Sequence, residues 1–292
     1  MPVLKEFHKP TDLADALALL KRENPHTVPL AGGTWLNPRI GKEVADCSNP
    51  AAEAVVDLSG LGLDQIERDM NVLRLGAMAT LAAVVNDETC RSLSSGILAQ
   101  TARRDATVNV RNAATVGGTV VVAPASSEFI LALLALGAEL DTQSALSAET
   151  STWSLHQFLA DPTAALNSGL VTQVQIQLPT RASGGLARVA RTPSDHPIVA
   201  AVAVITEDAD AMRIALSGVG PCPLLVEFDR PEAMEEAVGQ SIVAAETWAD
   251  FRGSDEYRRA MGGVMAGRAF EMALESKERN QVFQKKPGFS VV

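Results

Sequence analysis

Two stretches combine residue types suited to holding an anion. One is Pro29-Leu30-Ala31-Gly32-Gly33-Thr34-Trp35-Leu36-Asn37-Pro38, and the other is Val110-Arg111-Asn112-Ala113-Ala114-Thr115-Val116-Gly117-Gly118-Thr119-Val120. Each carries two adjacent glycines followed by a threonine. Without a Cβ, an anion can approach several peptide N–H groups at once, and the hydroxyl adds a donor. Gly117 is expected to be such an approach, so that a side chain there would block phosphate while leaving the fold intact. Taken alone, either stretch reads first as an ordinary turn between strands. Neither fits Gly-x-Gly-x-x-Gly nor the pattern ending in Gly-Lys-Ser/Thr. The repetition favours a shared diphosphate ligand.

Other chemistry is not indicated. Cys47, Cys90 and Cys222 are far apart and odd in number, without metal spacing or a disulfide framework, and His8, His26, His156 and His196 are scattered. They define no metal site and no catalytic triad. A net charge of −10 argues against nucleic acid or an anionic membrane as partner, so any phosphate must be held locally. The N-terminal residues lack an apolar signal segment and no apolar run reaches transmembrane length, which favours the cytoplasm.

The elements that would position these stretches follow from periodicity. At 292 residues with 47% hydrophobic content, the chain is expected to form two or three subdomains. Thr11 is the expected cap of a helix bearing Leu13, Ala16, Leu17 and Leu20. Strands are expected at Val28 to Ala31 and Val55 to Leu58, forming a small parallel α/β unit, with a hairpin at 65–68 and 72–75. Thr80 caps a short helix, another runs from about Ser92 to Arg103, and Ser126 or Ser127 caps a buried helix from Glu128 to Leu136. Strand-like pieces at 138–143 and 150–155 precede Thr172 to Leu178, where glutamine alternates with apolar residues. A break is expected at Ser183-Gly184-Gly185, then strands near 186–191, 197–205 and 211–217 in an antiparallel meander. Helices at about 230–238, 240–248 and 254–275 and a polar tail complete the chain.

Lys9-Pro10, Leu30-Ala31-Gly32-Gly33-Thr34, Val110-Arg111-Asn112 leading into Thr115-Val116-Gly117-Gly118, Ala132 to Ala138, Ser217-Gly218-Val219-Gly220-Pro221 and Phe251 to Arg259 stand in an order that resembles one family. It is the FAD-binding medium subunit, or FAD domain, of molybdenum hydroxylases, matched over about residues 1–275. The resemblance implies an α+β fold: two α/β FAD-binding subdomains of the PCMH type at 1–60 and 61–179, then a small antiparallel sheet with helices at 180–275 and a tail at 276–292. It implies an oxidoreductase subunit that binds FAD between the first two subdomains. Electrons would pass from an iron–sulfur small subunit through FAD to an external acceptor. Substrate would be oxidised on a separate molybdenum-cofactor large subunit, within a dimer of heterotrimers.

By the same resemblance Leu30, Ala31, Gly32, Gly33, Thr34, Trp35, Leu36 and Asn37 form the first FAD loop, and Thr115, Val116, Gly117, Gly118 and Thr119 the second. Glu128 would bond the polar linker of the cofactor, Leu170 would pack on its ring, and Arg188 would stabilise the reduced flavin. No protein residue is implied as catalytic. Trp35, Thr119, Glu128 and Leu186 depart from the family's usual residues, and Asp105 places a carboxylate where an apolar side chain is common. Those departures define the alternative, a cofactor-poor scaffold subunit of the same complex.

Overall fold

The computed structural model describes residues 4–39, 52–147, 149–207, 212–246 and 248–284. Cys47, the Asp208-Ala209-Asp210 connection and the end of the tail lie outside them. The chain forms two compact units, each assembled from separated stretches. The first comprises Met1–Asp87, Ala106–Pro124 and Gly137–Gln177, and the second Glu88–Asp105, Ala125–Leu136 and Leu178–Val292. The whole is α+β, with three sheets.

In the first unit, β1 (Glu6–His8), β2 (Thr27–Leu30) and β3 (Ala54–Asp57) form a sheet in the order β1-β3-β2 with both pairings parallel. Parallel strands need a crossover, and the Leu13–Leu20 helix supplies the one from β1 to β2, which flank β3. Its Ala16, Leu17 and Leu20 share one face and pack with Val56, Leu58 and Leu170. Asp12, rather than Thr11, caps this helix: it is extended, and its carboxylate accepts from Ala14 N at 2.8 Å and Asp15 N at 3.3 Å. An ionised acceptor serving two orphan N–H groups outperforms a hydroxyl one residue earlier. Strand β1 was not expected; three residues are too few to display a period.

The other sheet of this unit contains β4 (Ile66–Asp69), β5 (Val72–Gly76), β6 (Glu139–Gln143), β7 (Thr150–Ser154) and β8 (Leu170–Gln177) in the order β4-β5-β8-β6-β7, antiparallel throughout. The alternation in β8 places Val174 and Ile176 in the core and Gln173 and Gln175 together on the opposite face. There both glutamines donate to Asp141 Oδ2 at 2.6 Å, and Thr152 Oγ1 donates to Asp141 Oδ1 at 2.7 Å. A half-polar face is thereby tied across three strands.

The second unit is built on β9 (Ala182–Val189), β10 (Val199–Thr206), β11 (Met212–Ser217) and β12 (Leu224–Phe228), an antiparallel sheet in the order β12-β11-β10-β9. Ser183-Gly184-Gly185 is not a break but part of β9. A Cβ on Gly185 would lie 2.1 Å from Ala269 O, in the Asp255–Gln284 helix, so the glycine permits that helix to lie directly on the strand. In β10 every residue from Val199 to Ile205 is buried. Val199, Ala201, Ala203 and Ile205 meet Met265, Ala266, Ala269, Phe270 and Ala273 of the long helix. Their even-numbered neighbours face the other way, where the Glu128–Ala135 helix packs. The long helix extends to Gln284 and takes in the first part of the segment expected to be a tail.

Arg258, 1% exposed, ties the end of this sheet. Its Nη1 donates to Ile198 O at 2.7 Å and Gly218 O at 3.1 Å, and Nη2 lies 2.5 Å from Asp250 Oδ1. Partial burial pushes the Asp250 carboxyl up, but Arg252 N–H and the two guanidiniums outweigh it and hold its pKa at about 2. No helix among the described residues is long and apolar enough to cross a membrane.

Candidate functional site

Both glycine stretches lie in the first unit and touch there. A Cβ on Gly32 would fall 1.7 Å from Ala113 O, so the first stretch passes the second backbone to backbone. A Cβ on Gly118 would lie 3.7 Å from the Ala31 methyl. The paired occurrence in sequence thus reflects a physical contact.

The first stretch leaves β2 after Leu30 and turns. Gly33 has φ +68°, in the left-handed region, and the Asn37 amide lies against its Cα, within 2.5 Å of where a Cβ would stand. Asn37 N donates to Gly33 O at 2.9 Å, and Arg39 N to Leu36 O at 2.9 Å, closing the turn. The backbone N–H groups of Gly32, Gly33, Thr34 and Trp35 have no partner among the described residues, although Gly33 is buried. Thr34 and Trp35 are exposed, but at buried Gly33 an unspent donor is uncommon and marks a place for an acceptor.

The second stretch differs from the expected loop with bare N–H groups. Thr115 is the N-cap of a helix, Val116–Val122, and the glycines form its first turn. Val116 N donates to Ala79 O and Gly117 N to Ala77 O, each at 2.8 Å; Gly118 N reaches Thr115 Oγ1 at 3.1 Å and Thr119 N reaches Thr115 O at 2.9 Å. All four donors are committed. The Thr119 hydroxyl also turns back to Thr115 O, at 2.8 Å. A Cβ at Gly117 would stand 2.7 Å from the Ala77 methyl, so this glycine serves packing, and a valine there would disturb the fold, contrary to expectation.

Leu170, 5% exposed, belongs to the first unit's core beside Leu17 and Val56. A ring could meet only its residual surface.

Glu128 and Arg188 lie in the second unit, with Asp105. Ser127 caps the Glu128–Ala135 helix, and Asp105 Oδ1 accepts from Phe129 N at 3.2 Å, so this carboxylate serves the helix N-terminus. Burial pushes the Asp105 carboxyl up against the pull of Ser127 and Phe129. Glu128 is 1% exposed. Arg188 Nε lies 2.7 Å from its Oε1 but off the donor axis, so the contact is an ion pair without a directed hydrogen bond. Both Glu128 oxygens lack a hydrogen-bond donor among the described residues. Burial raises the Glu128 pKa, opposed by Arg188 and Arg104. Arg188 is itself held by Pro193 O, at 2.9 Å, and by Asp195 O. Only the family resemblance put Glu128, Arg188 and Asp105 at one site, since their spacing of more than twenty residues has no local period.

Residues 4–180 match the family described as the FAD binding domain in molybdopterin dehydrogenase, and the chain belongs to that family. Among its relatives are the protein YgfM of Escherichia coli K12, 31% identical over 90% of this chain and 94% of that one, and the carbon monoxide dehydrogenase medium chain of Afipia carboxidovorans, 28% identical over 92% and 96%. The fold superposes on a subunit of reconstituted CO dehydrogenase from Oligotropha carboxidovorans with TM-score 0.80 and 25% identity, covering 94% of this chain and 99% of that one. The chain is thus an FAD-binding medium subunit of the molybdenum hydroxylase family, an oxidoreductase component. The donors and acceptors present suit such a cofactor in chemical type: the Gly32 to Trp35 N–H groups, without acceptors among the described residues, suit diphosphate oxygens, and the Glu128 oxygens, ion-paired with Arg188 but accepting no hydrogen bond there, suit hydroxyl donors.

Proposed function

We propose that this chain carries FAD as the electron-transfer subunit of a larger molybdenum-containing dehydrogenase, receiving electrons from a partner's iron–sulfur clusters and delivering them to an external acceptor. Substrate oxidation belongs to a separate molybdenum-cofactor subunit, and two such heterotrimers form the assembly. The observation that carries the reading is the Ala31 to Arg39 turn, whose Gly32 to Trp35 N–H groups have no acceptor among the described residues. Membership of an FAD-binding family supplies the identity of the acceptor they await.

Bound FAD supplies the redox chemistry, and the chain's own residues hold, orient and desolvate it. Leu30, Ala31, Gly32, Gly33, Thr34, Trp35, Leu36 and Asn37 form the diphosphate turn. Thr115, Val116, Gly117, Gly118 and Thr119 act chiefly by shaping it, since their own N–H groups are committed. Glu128 accepts hydrogen bonds from the polar linker, Leu170 offers an apolar edge to the ring, and Arg188 supplies positive charge near Glu128. Isolation of the chain with its neighbouring subunits, followed by an absorbance spectrum and identification of the released cofactor, tests this. One FAD per chain is expected. A chain that neither carries FAD nor takes it up would instead be a scaffold.

A further inference from the structure

The turn ends in a group that no motif flags. Arg39 Nη1 donates to Trp35 O at 2.7 Å, and its guanidinium carbon lies 4.1 Å from the centroid of the Trp35 ring. Both side chains are exposed, and Arg39 has no carboxylate partner among the described residues. A cation without a carboxylate partner among the described residues is thus held by two contacts at the end of the turn whose Gly32 to Trp35 N–H groups have no acceptor there.

We propose that Arg39 is a diphosphate-binding residue of the FAD site and that Trp35 is the residue that positions it. The inference rests on the reading that the chain carries FAD. Peptide N–H groups offer only partial positive charge, whereas a diphosphate brings full negative charges to a protein whose net charge is −10. The second glycine stretch cannot make up the difference, because its four N–H groups are spent within the protein. A guanidinium can. It has five N–H donors in a planar fork, and only one is fixed by Trp35 O. Stacking on the indole restricts the long side chain before the ligand arrives, which lowers the entropy lost on binding. The tryptophan after Gly-Gly-Thr then has a role: it is a platform for a cation four residues later.

The test uses the full-length chain freed of cofactor, with binding of FAD and of riboflavin measured at low and high salt. Arg39→Ala is expected to weaken FAD about tenfold at low salt, as loss of a charge-assisted hydrogen bond would. The difference should shrink as salt is added, and riboflavin, which lacks phosphate, should bind both proteins alike. Trp35→Leu should weaken FAD in the parent protein yet add little in the Arg39→Ala background, because the ring acts through the guanidinium. The thermal midpoint without FAD should be unchanged, since both side chains are at the surface. Equal FAD affinity in Arg39→Ala and parent, or an equal loss for riboflavin, overturns the assignment. A parent chain that takes up no FAD at all overturns the functional reading and the assignment with it.

Discussion

The glycines divide by what each missing Cβ permits. Gly32 allows backbone contact with Ala113, Gly117 allows packing on Ala77, Gly33 allows a left-handed turn, and Gly118 leaves room for the Thr115 cap. Gly32→Ala would place a methyl within 1.7 Å of a carbonyl oxygen, so the two stretches must separate. A loss of about 3 kcal/mol in urea unfolding is expected, together with reduced FAD occupancy. An unchanged unfolding midpoint would show that the contact is not required. Both glycine pairs were visible in the sequence, because residue type alone announces them. Their division of labour was not. Whether an N–H group is bare or bonded depends on Ala77 and Ala79, which approach from some forty residues away and carry no motif. Arg39 escaped notice for a related reason: its meaning comes from the Trp35 ring beneath it.

Most elements were readable because burial imposes a period on them. The Leu13–Leu20 helix, β5 and β8 each show one apolar face, and the structure has each where that face requires it. The failures fall where close approach displaced side chains. Gly184 and Gly185 read as punctuation, yet they sit within β9 because Ser94 and Ile97 approach the first, and the Asp255–Gln284 helix the second, too nearly for a Cβ. The Arg258 anchor was also illegible, as its partners Ile198 O and Gly218 O are backbone atoms. Asp250 is its counter-charge, and removing that charge leaves a buried guanidinium unpaired. Asp250→Asn is expected to cost about 3 kcal/mol near neutral pH, read from urea unfolding. The pH dependence has a defined sign. The folded pKa of about 2 lies below the ordinary 3.8, so the stabilisation is present above about pH 4 and lost as pH falls towards 2. The variant should lack that part of the acid dependence; an acid profile matching the parent's would contradict the role given to Asp250.

At the scale of the whole molecule, the sequence supplied the class of fold and the family, and the structure agrees with the α+β architecture of three sheets. It could not supply the interleaving of the two compact units, each of which takes three stretches of chain. The interleaving sets the first unit's glycine stretches in one group and Glu128, Arg188 and Asp105 in another, although residues 115–119 and 128 are close in sequence. If FAD is a resident cofactor, binding must stabilise the folded chain. At a concentration a hundredfold above Kd the gain is about 2.7 kcal/mol. A rise of roughly 5 °C in Tm is expected for a chain of this size. Adenosine, which lacks both flavin and phosphate, should give no comparable shift.

The central claim is that this medium subunit holds FAD on the Ala31 to Arg39 turn, and the most direct measurement is the flavin content of the purified complex. Quantified flavin absorbance with mass identification of the released cofactor should give one FAD per chain in the parent and clearly less after Gly32→Ala or Arg39→Ala. A colourless parent that takes up no added FAD, or full FAD content in both variants, would contradict it.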